Sequence, residues 1–111
     1  MAEPYLRDLK SIVERAAVPC EEVAHITCKH FFSGAAAYID GRIFMTLTPV
    51  GLALKLPEDG RNRLLDQGGK PLRYFPKAPV KKDYVLSPSH LIDDDVGLSA
   101  WISRSIEFVW K

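Results

Sequence analysis

The amino-acid sequence predicts an α+β fold: a two-layer sandwich in which a mostly antiparallel β-meander sheet carries helices on one face. Three observations lead there. Apolar residues recur at helical spacing at both ends of the chain, strand-like segments separated by strong turn signals fill its middle, and 111 residues suffice for one core but not two. A single domain over residues 1–111 is therefore expected, with an N-terminal helix over about 3–18 and the sheet with its remaining helices over about 23–110. Hydrophobic residues make up 47% and charged residues 26% of the composition, ordinary globular values that point away from disorder.

The first helix is read from Tyr5, Leu6, Leu9, Ile12, Val13 and Ala16, with Pro4 suited to a first helical position. It should stop near Val18, because Pro19 steers the preceding residue away from helical dihedrals. Strand texture then runs from Val23 to Leu56, broken around Phe32-Ser33-Gly34 and again at Asp40-Gly41, a strong hairpin signal. A two-residue loop there sets Ile39 against Arg42, Tyr38 against Ile43 and Ala36 against Met45. A four-residue loop Thr48-Pro49-Val50-Gly51 then pairs Leu47 with Leu52.

This register places Tyr38, Ile43, Met45, Leu47, Leu52, Leu54 and Leu56 on the core face. The opposite face collects Ala35, Ala37, Ile39, Phe44, Thr46, Ala53 and Lys55, more apolar than a solvated face usually is. Ala35, Ala37, Ile39, Phe44 and Ala53 are accordingly the expected protein-interface face.

A short helix from Pro57 and Glu58 through Arg63, Leu64 and Leu65 is expected to end at Gly68-Gly69. Pro71, Pro76 and Pro79 interrupt the next stretch, which leaves Leu72 to Phe75 and Tyr84 to Leu86 as short or edge strands around a basic loop. Ser87-Pro88 reads as a helix cap with a first-turn proline. Asp93, Asp94 and Asp95 suit the start of a last helix, on which Leu98, Trp101, Ile102, Ser105 and Val109 recur.

Net charge is +1, but its distribution is uneven. Residues 61–82 hold seven cations (Arg61, Arg63, Lys70, Arg73, Lys77, Lys81, Lys82) against the single acid Asp66, with Tyr74 and Phe75 interleaved. Such a segment suits an anionic partner, and weak nucleic-acid binding through it is the alternative functional reading. The competing reading is a solvated loop, favoured by the near-neutral chain and the lack of a recognition-helix motif.

Catalytic and metal-binding readings fare poorly. His25, Cys28 and His30, with Cys20 nearby, supply zinc-ligand types, but strand alternation sets Cys28 and His30 on one face and His25 on the other, without a second ligand pair. His30, Ser33, Asp40 and His90 supply hydrolase types without a nucleophile elbow. Gly68-Gly69 follows a helix instead of opening one, which removes a phosphate cradle. The three consecutive aspartates fit helix capping better than calcium, and Trp101 and Phe108 fit a core better than a ligand box. No enzyme activity, cofactor or small-molecule substrate is expected. No apolar run reaches membrane-spanning length and the cysteines form no disulfide framework, so a cytoplasmic location is expected.

The ordered motifs Phe31-Phe32-Ser33-Gly34, Tyr38-Ile39-Asp40-Gly41-Arg42-Ile43-Phe44 and Gly51-Leu52-Ala53-Leu54-Lys55-Leu56, followed by a Pro-rich basic stretch, Tyr84-Val85-Leu86-Ser87-Pro88 and a terminal helix, resemble the TfoX N-terminal domain family. Ser33 stands where that family often has glycine, and His30 where an arginine is common. The resemblance implies a stand-alone member of a family that includes bacterial regulators of natural competence and transcription, whose longer members add a C-terminal helical domain. It implies no catalytic residues, and it favours a regulatory domain that works through a protein partner or self-association.

Overall fold

The computed structural model describes residues 3–15, 25–31, 34–73 and 82–110. In chain order the elements are α1 (Glu3–Arg15), β1 (Ile26–Phe31), β2 (Gly34–Ile39), β3 (Arg42–Thr48), β4 (Gly51–Lys55), α2 (Glu58–Asp66), β5 (Lys70–Pro71), β6 (Tyr84–Leu86), a 3-10 turn (Ser89–Asp93) and α3 (Asp95–Trp110). The strands form a six-stranded sheet ordered β1-β2-β3-β4-β6-β5, with every pairing antiparallel. The expected α+β sandwich is thus the observed one. The stop of the first helix around Val18 and Pro19, and the turn residues Phe32 and Ser33, lie outside the described residues.

The tight turn at Asp40-Gly41 forms as its residue types dictate. Both central residues take positive φ, 47° at Asp40 and 84° at Gly41, the combination that matches the right-handed twist of the flanking strands. Ile39 meets Arg42 and Tyr38 meets Ile43, but Ala37, not Ala36, meets Met45. One extra residue, Phe44, is inserted in β3 as a β-bulge. Beyond it every β2 residue exchanges faces relative to the unbulged register.

The face assignment is therefore corrected. Ala35, Ala37 and Ile39 share a face with Met45, Leu47, Leu52 and Leu54. This face is packed against Leu9, Ile12 and Val13 of α1, Leu64 of α2, and Leu98, Trp101, Ile102 and Ile106 of α3 in one hydrophobic cluster, which Phe44 also enters. Tyr38 and Ile43 lie on the second face instead, with Ala36, Thr46 and Ala53.

The bulge is anchored by a buried serine. Ser105 of α3 has no solvent exposure, and its Oγ lies 2.9 Å from the Phe44 carbonyl and 2.7 Å from the Lys55 carbonyl. Its one proton serves two strand carbonyls at the place where the ladder is interrupted. The hydroxyl thus fixes the height of α3 on the sheet.

Helix α2 ends as Gly68-Gly69 predicts. The amide of Gly69 donates to the Leu64 carbonyl at 2.8 Å and that of Gly68 to Leu65 at 3.2 Å, the paired bonds of a Schellman end with Gly68 at φ 105°. The capping expectation for Ser87 is corrected: its Oγ donates to the Leu52 carbonyl at 2.9 Å. Pro88 precedes the 3-10 turn, and α3 is capped by Asp94, whose Oδ1 accepts from the Gly97 amide at 3.0 Å. Of the strand expected over Leu72 to Phe75, Leu72 and Arg73 are not in a strand, Tyr74 and Phe75 lie outside the described residues, and pairing occurs instead at Lys70–Pro71.

Ser105→Ala should lower unfolding free energy by ~1–3 kcal/mol, because two carbonyls lose their donor in a dry site. Urea denaturation checks it, and a loss below ~0.5 kcal/mol would show that the hydroxyl does not hold the bulge.

Candidate interaction surfaces

The expected interface face is not available at the surface. Ala35, Ala37, Ile39, Phe44 and Ala53 all have zero exposure; the first four belong to the helix-covered core, and Ala53 lies on the second face. Three consecutive alanines carry no alternation, so the sequence alone could not say which of them points inward.

The basic segment is partly dispersed by the fold. Arg61 donates to the Leu56 carbonyl at 2.6 Å and to Asp83 Oδ1 at 3.2 Å, with its side chain only 23% exposed. Asp83 takes φ 69° and its carbonyl accepts from the Leu56 amide at 2.8 Å. This arginine therefore staples β6 to the start of α2. Arg63, Lys70, Arg73 and Lys82 are exposed, but α2 also carries exposed Glu58, Asp59 and Asp66. Lys77 and Lys81 lie outside the described residues.

Among the described residues the histidines and Cys28 do not converge, and Cys20 lies outside them. His25 Nδ1 lies 3.0 Å from Asp40 Oδ1, and the other carboxylate oxygen accepts from Trp110 Nε1 at 3.0 Å. The His25 and Trp110 rings stand 5.2 Å apart, and Arg42 donates to the carbonyls of Val109 and Trp110 at 2.9 and 3.2 Å. A cation on the last carbonyls complements the negative end of the helix dipole. These contacts make a polar clasp that ties the Asp-Gly turn to the end of α3. Cys28 is half-buried on the helix-covered face, where burial raises its thiol pKa and nearby Lys10 offsets part of the rise. Among the described residues no group of three potential ligands could hold a metal ion.

Two surface features escaped the sequence. The first is Phe108 on α3, whose aromatic type suggests the core but which is 37% exposed. It separates two open cavities: one of about 610 Å³ lined by Leu56, Pro57, Asp59, Gly60, Arg104 and Glu107, and one of about 480 Å³ lined by Gly41, Arg42, Ile43, Lys55, Asp83 and Val109. Three residues from Ser105 and seven from Trp101, both buried, it keeps the helical spacing of the core stripe, so periodicity as well as aromatic type pointed inward and the sequence held no sign of its exposure.

The second is a row across the second sheet face at its Asp-Gly end. Successive pairings align Thr27, Tyr38 and Ile43 and set Lys55 against Tyr84, and Ile43 and Lys55 line one cavity. Tyr38, Ile43, Lys55 and Tyr84 are partly exposed, whereas Ala36, Thr46 and Ala53 in the next tier are fully buried. The Lys29 ammonium lies 5.4 Å above the Tyr38 ring and that of Lys55 5.9 Å above Tyr84. The row was hidden because the unbulged register sends Tyr38 and Ile43 into the core.

A six-stranded antiparallel sheet backed by helices defines a small α+β sandwich. The TfoX N-terminal domain model matches residues 20–109. The chain belongs to the TfoX N-terminal domain family, which places it among regulatory domains of the competence-regulator kind. No curated protein matches it. No helix among the described residues is long and apolar enough to cross a membrane.

Arg61→Leu should cost ~1–2 kcal/mol, since the Leu56 carbonyl and Asp83 lose a partly buried cationic donor. Thermal unfolding tests this, and an unchanged midpoint would remove the staple. With Cys20 changed to serine, Cys28 should alkylate more slowly at pH 8 in the folded chain than in urea, because a raised pKa leaves less thiolate. Stability should correspondingly fall as pH rises through the ordinary thiol range; equal rates would refute the shielding.

Proposed function

We propose that the chain is a non-enzymatic regulatory domain that acts by binding another protein, a different partner or a second copy, through the surface around Phe108. The observation that carries this reading is the partly exposed phenylalanine set between two cavities, where an apolar anchor from a partner would be shielded from water on several sides. Aromatic side chains with adjoining apolar pockets are the usual energetic centre of protein interfaces. Half-buried Ile43 and Val109 extend the apolar area, and the lining charges Asp59, Arg104 and Glu107 supply a polar rim.

Family membership supports the same reading, since the family is a regulatory one. A role in transcription or competence in a bacterial cytoplasm is the cellular setting this reading carries. Catalysis has no part in it.

Phe108→Glu should leave folding intact, because the ring is partly exposed, and should abolish association. Light scattering over a concentration series reads self-association, and affinity capture with cross-linking reads a different partner. A monomer that retains no protein, or retention unaffected by Phe108→Glu, overturns the proposal.

A further inference from the structure

The second sheet face has a charge pattern that the Phe108 surface lacks. Pairing assigns to it Thr27, Lys29 and Phe31 of β1, Ala36 and Tyr38 of β2, Ile43, Thr46 and Thr48 of β3, Ala53 and Lys55 of β4, Lys70 of β5, and Tyr84 and Leu86 of β6. Its described strand residues include three lysines and no acid. All three helices contribute to the core on the other face. The described strand residues of this face thus carry cations without acids; a neighbouring carboxylate, Asp83 beside Tyr84, shares a cavity with Ile43 and Lys55 and is engaged by Arg61.

The cations are combined with rings. Lys29 stands over Tyr38 and Lys55 over Tyr84 at 5.4 and 5.9 Å, and Ile43 lies on β3, between the strands of the two rings. Tyr38 on β2 and Tyr84 on β6 are separated by β3 and β4. At ~4.8 Å per strand spacing that is about 14 Å, comparable to the span over which a sheet face stacks two or three bases. A base that stacks on either ring takes the place of the ammonium above it, and the displaced lysine end is then free to meet the adjoining phosphate, so ring and cation together serve both needs of a single strand. An acidic peptide would meet the lysines but has no flat group to repeat along the rings.

We propose that the Lys29, Tyr38, Ile43, Lys55 and Tyr84 row is a binding surface for single-stranded nucleic acid. Its ligand differs from that of the Phe108 surface; Ile43 and Lys55 also line a cavity beside Phe108, whereas Lys29 and Tyr38 do not, so variants of Lys29 and Tyr38 separate this proposal from the protein-binding reading. Binding is weak and tolerant of sequence, because stacking and phosphate contacts read no base edge.

The test is a fluorescence-anisotropy titration of the full chain with a labelled oligodeoxythymidylate of about twelve nucleotides, repeated over a salt series. Saturable binding should weaken with salt at a log–log slope of about −2, the value for roughly three neutralised phosphates on a single strand. Lys29→Glu combined with Lys55→Glu should weaken binding by at least about tenfold, and Tyr38→Ala by about fivefold or more. Lys55→Gln, milder for folding, should weaken it in the same direction. Arg63→Glu, on α2, should change it little. Circular dichroism confirms that each variant is folded. No binding at low salt, binding insensitive to the lysine and tyrosine changes, a duplex of equal length bound as tightly, or equal competition by polyglutamate would each overturn the proposal.

Discussion

One extra residue in one strand controls the arrangement of this domain. Phe44 breaks the alternation of β3, and the break decides which residues of β2 enter the core. Without it Tyr38 and Met45 would share a face; with it Met45 joins the alanines and Tyr38 turns outward. A bulge leaves a backbone carbonyl outside the ladder, and such a group is costly in a dry interior unless a donor meets it. Ser105 supplies that donor from α3 and reaches Lys55 as well. The irregularity in the sheet and the polar residue on the apolar stripe of the helix therefore explain one another.

Small side chains make the consequence possible. Ala35 and Ala37 bring the β2 backbone close to α1, while Ile39 and Phe44 fill volume farther along. Ala36, Thr46 and Ala53, all fully buried, form the corresponding tier on the second face. At the Asp-Gly end of that face the larger Tyr38, Ile43 and Tyr84 remain partly exposed. The same end carries the clasp formed by His25, Asp40, Arg42 and Trp110. Both surfaces proposed for partners thus lie near one hairpin turn whose shape is fixed by local backbone chemistry.

Charge behaves differently in sequence and in space. The run of cations from Arg61 to Lys82 looks like a unit along the chain. In the fold Arg61 is consumed by Asp83 and a backbone carbonyl, and α2 carries its own acids beside Arg63. Lys29, Lys55 and Lys70, dispersed in sequence and flanked there by ordinary residues, are gathered on one sheet face by strand pairing. Proximity along the chain is a poor guide to a binding surface when the residues belong to different strands.

The sequence by itself determined the elements. Helical periodicity on α1 and α3, the Asp-Gly turn and the glycine pair after α2 act through local dihedral preferences and local hydrogen bonds, and each appears where residue types place it. It also carried enough ordered motifs to indicate the TfoX N-terminal domain family. The tertiary structure decided the faces. Ile43-Phe44-Met45 is continuously apolar, and the alanines of β2 fit either side, so no local preference locates the bulge. Its position is selected by packing of α3 against the sheet and by the buried Ser105 hydroxyl, contacts separated by some 61 residues of chain. For the same reason the exposed Phe108 and the Tyr38 row were illegible: exposure depends on which neighbours arrive, and those neighbours come from distant elements.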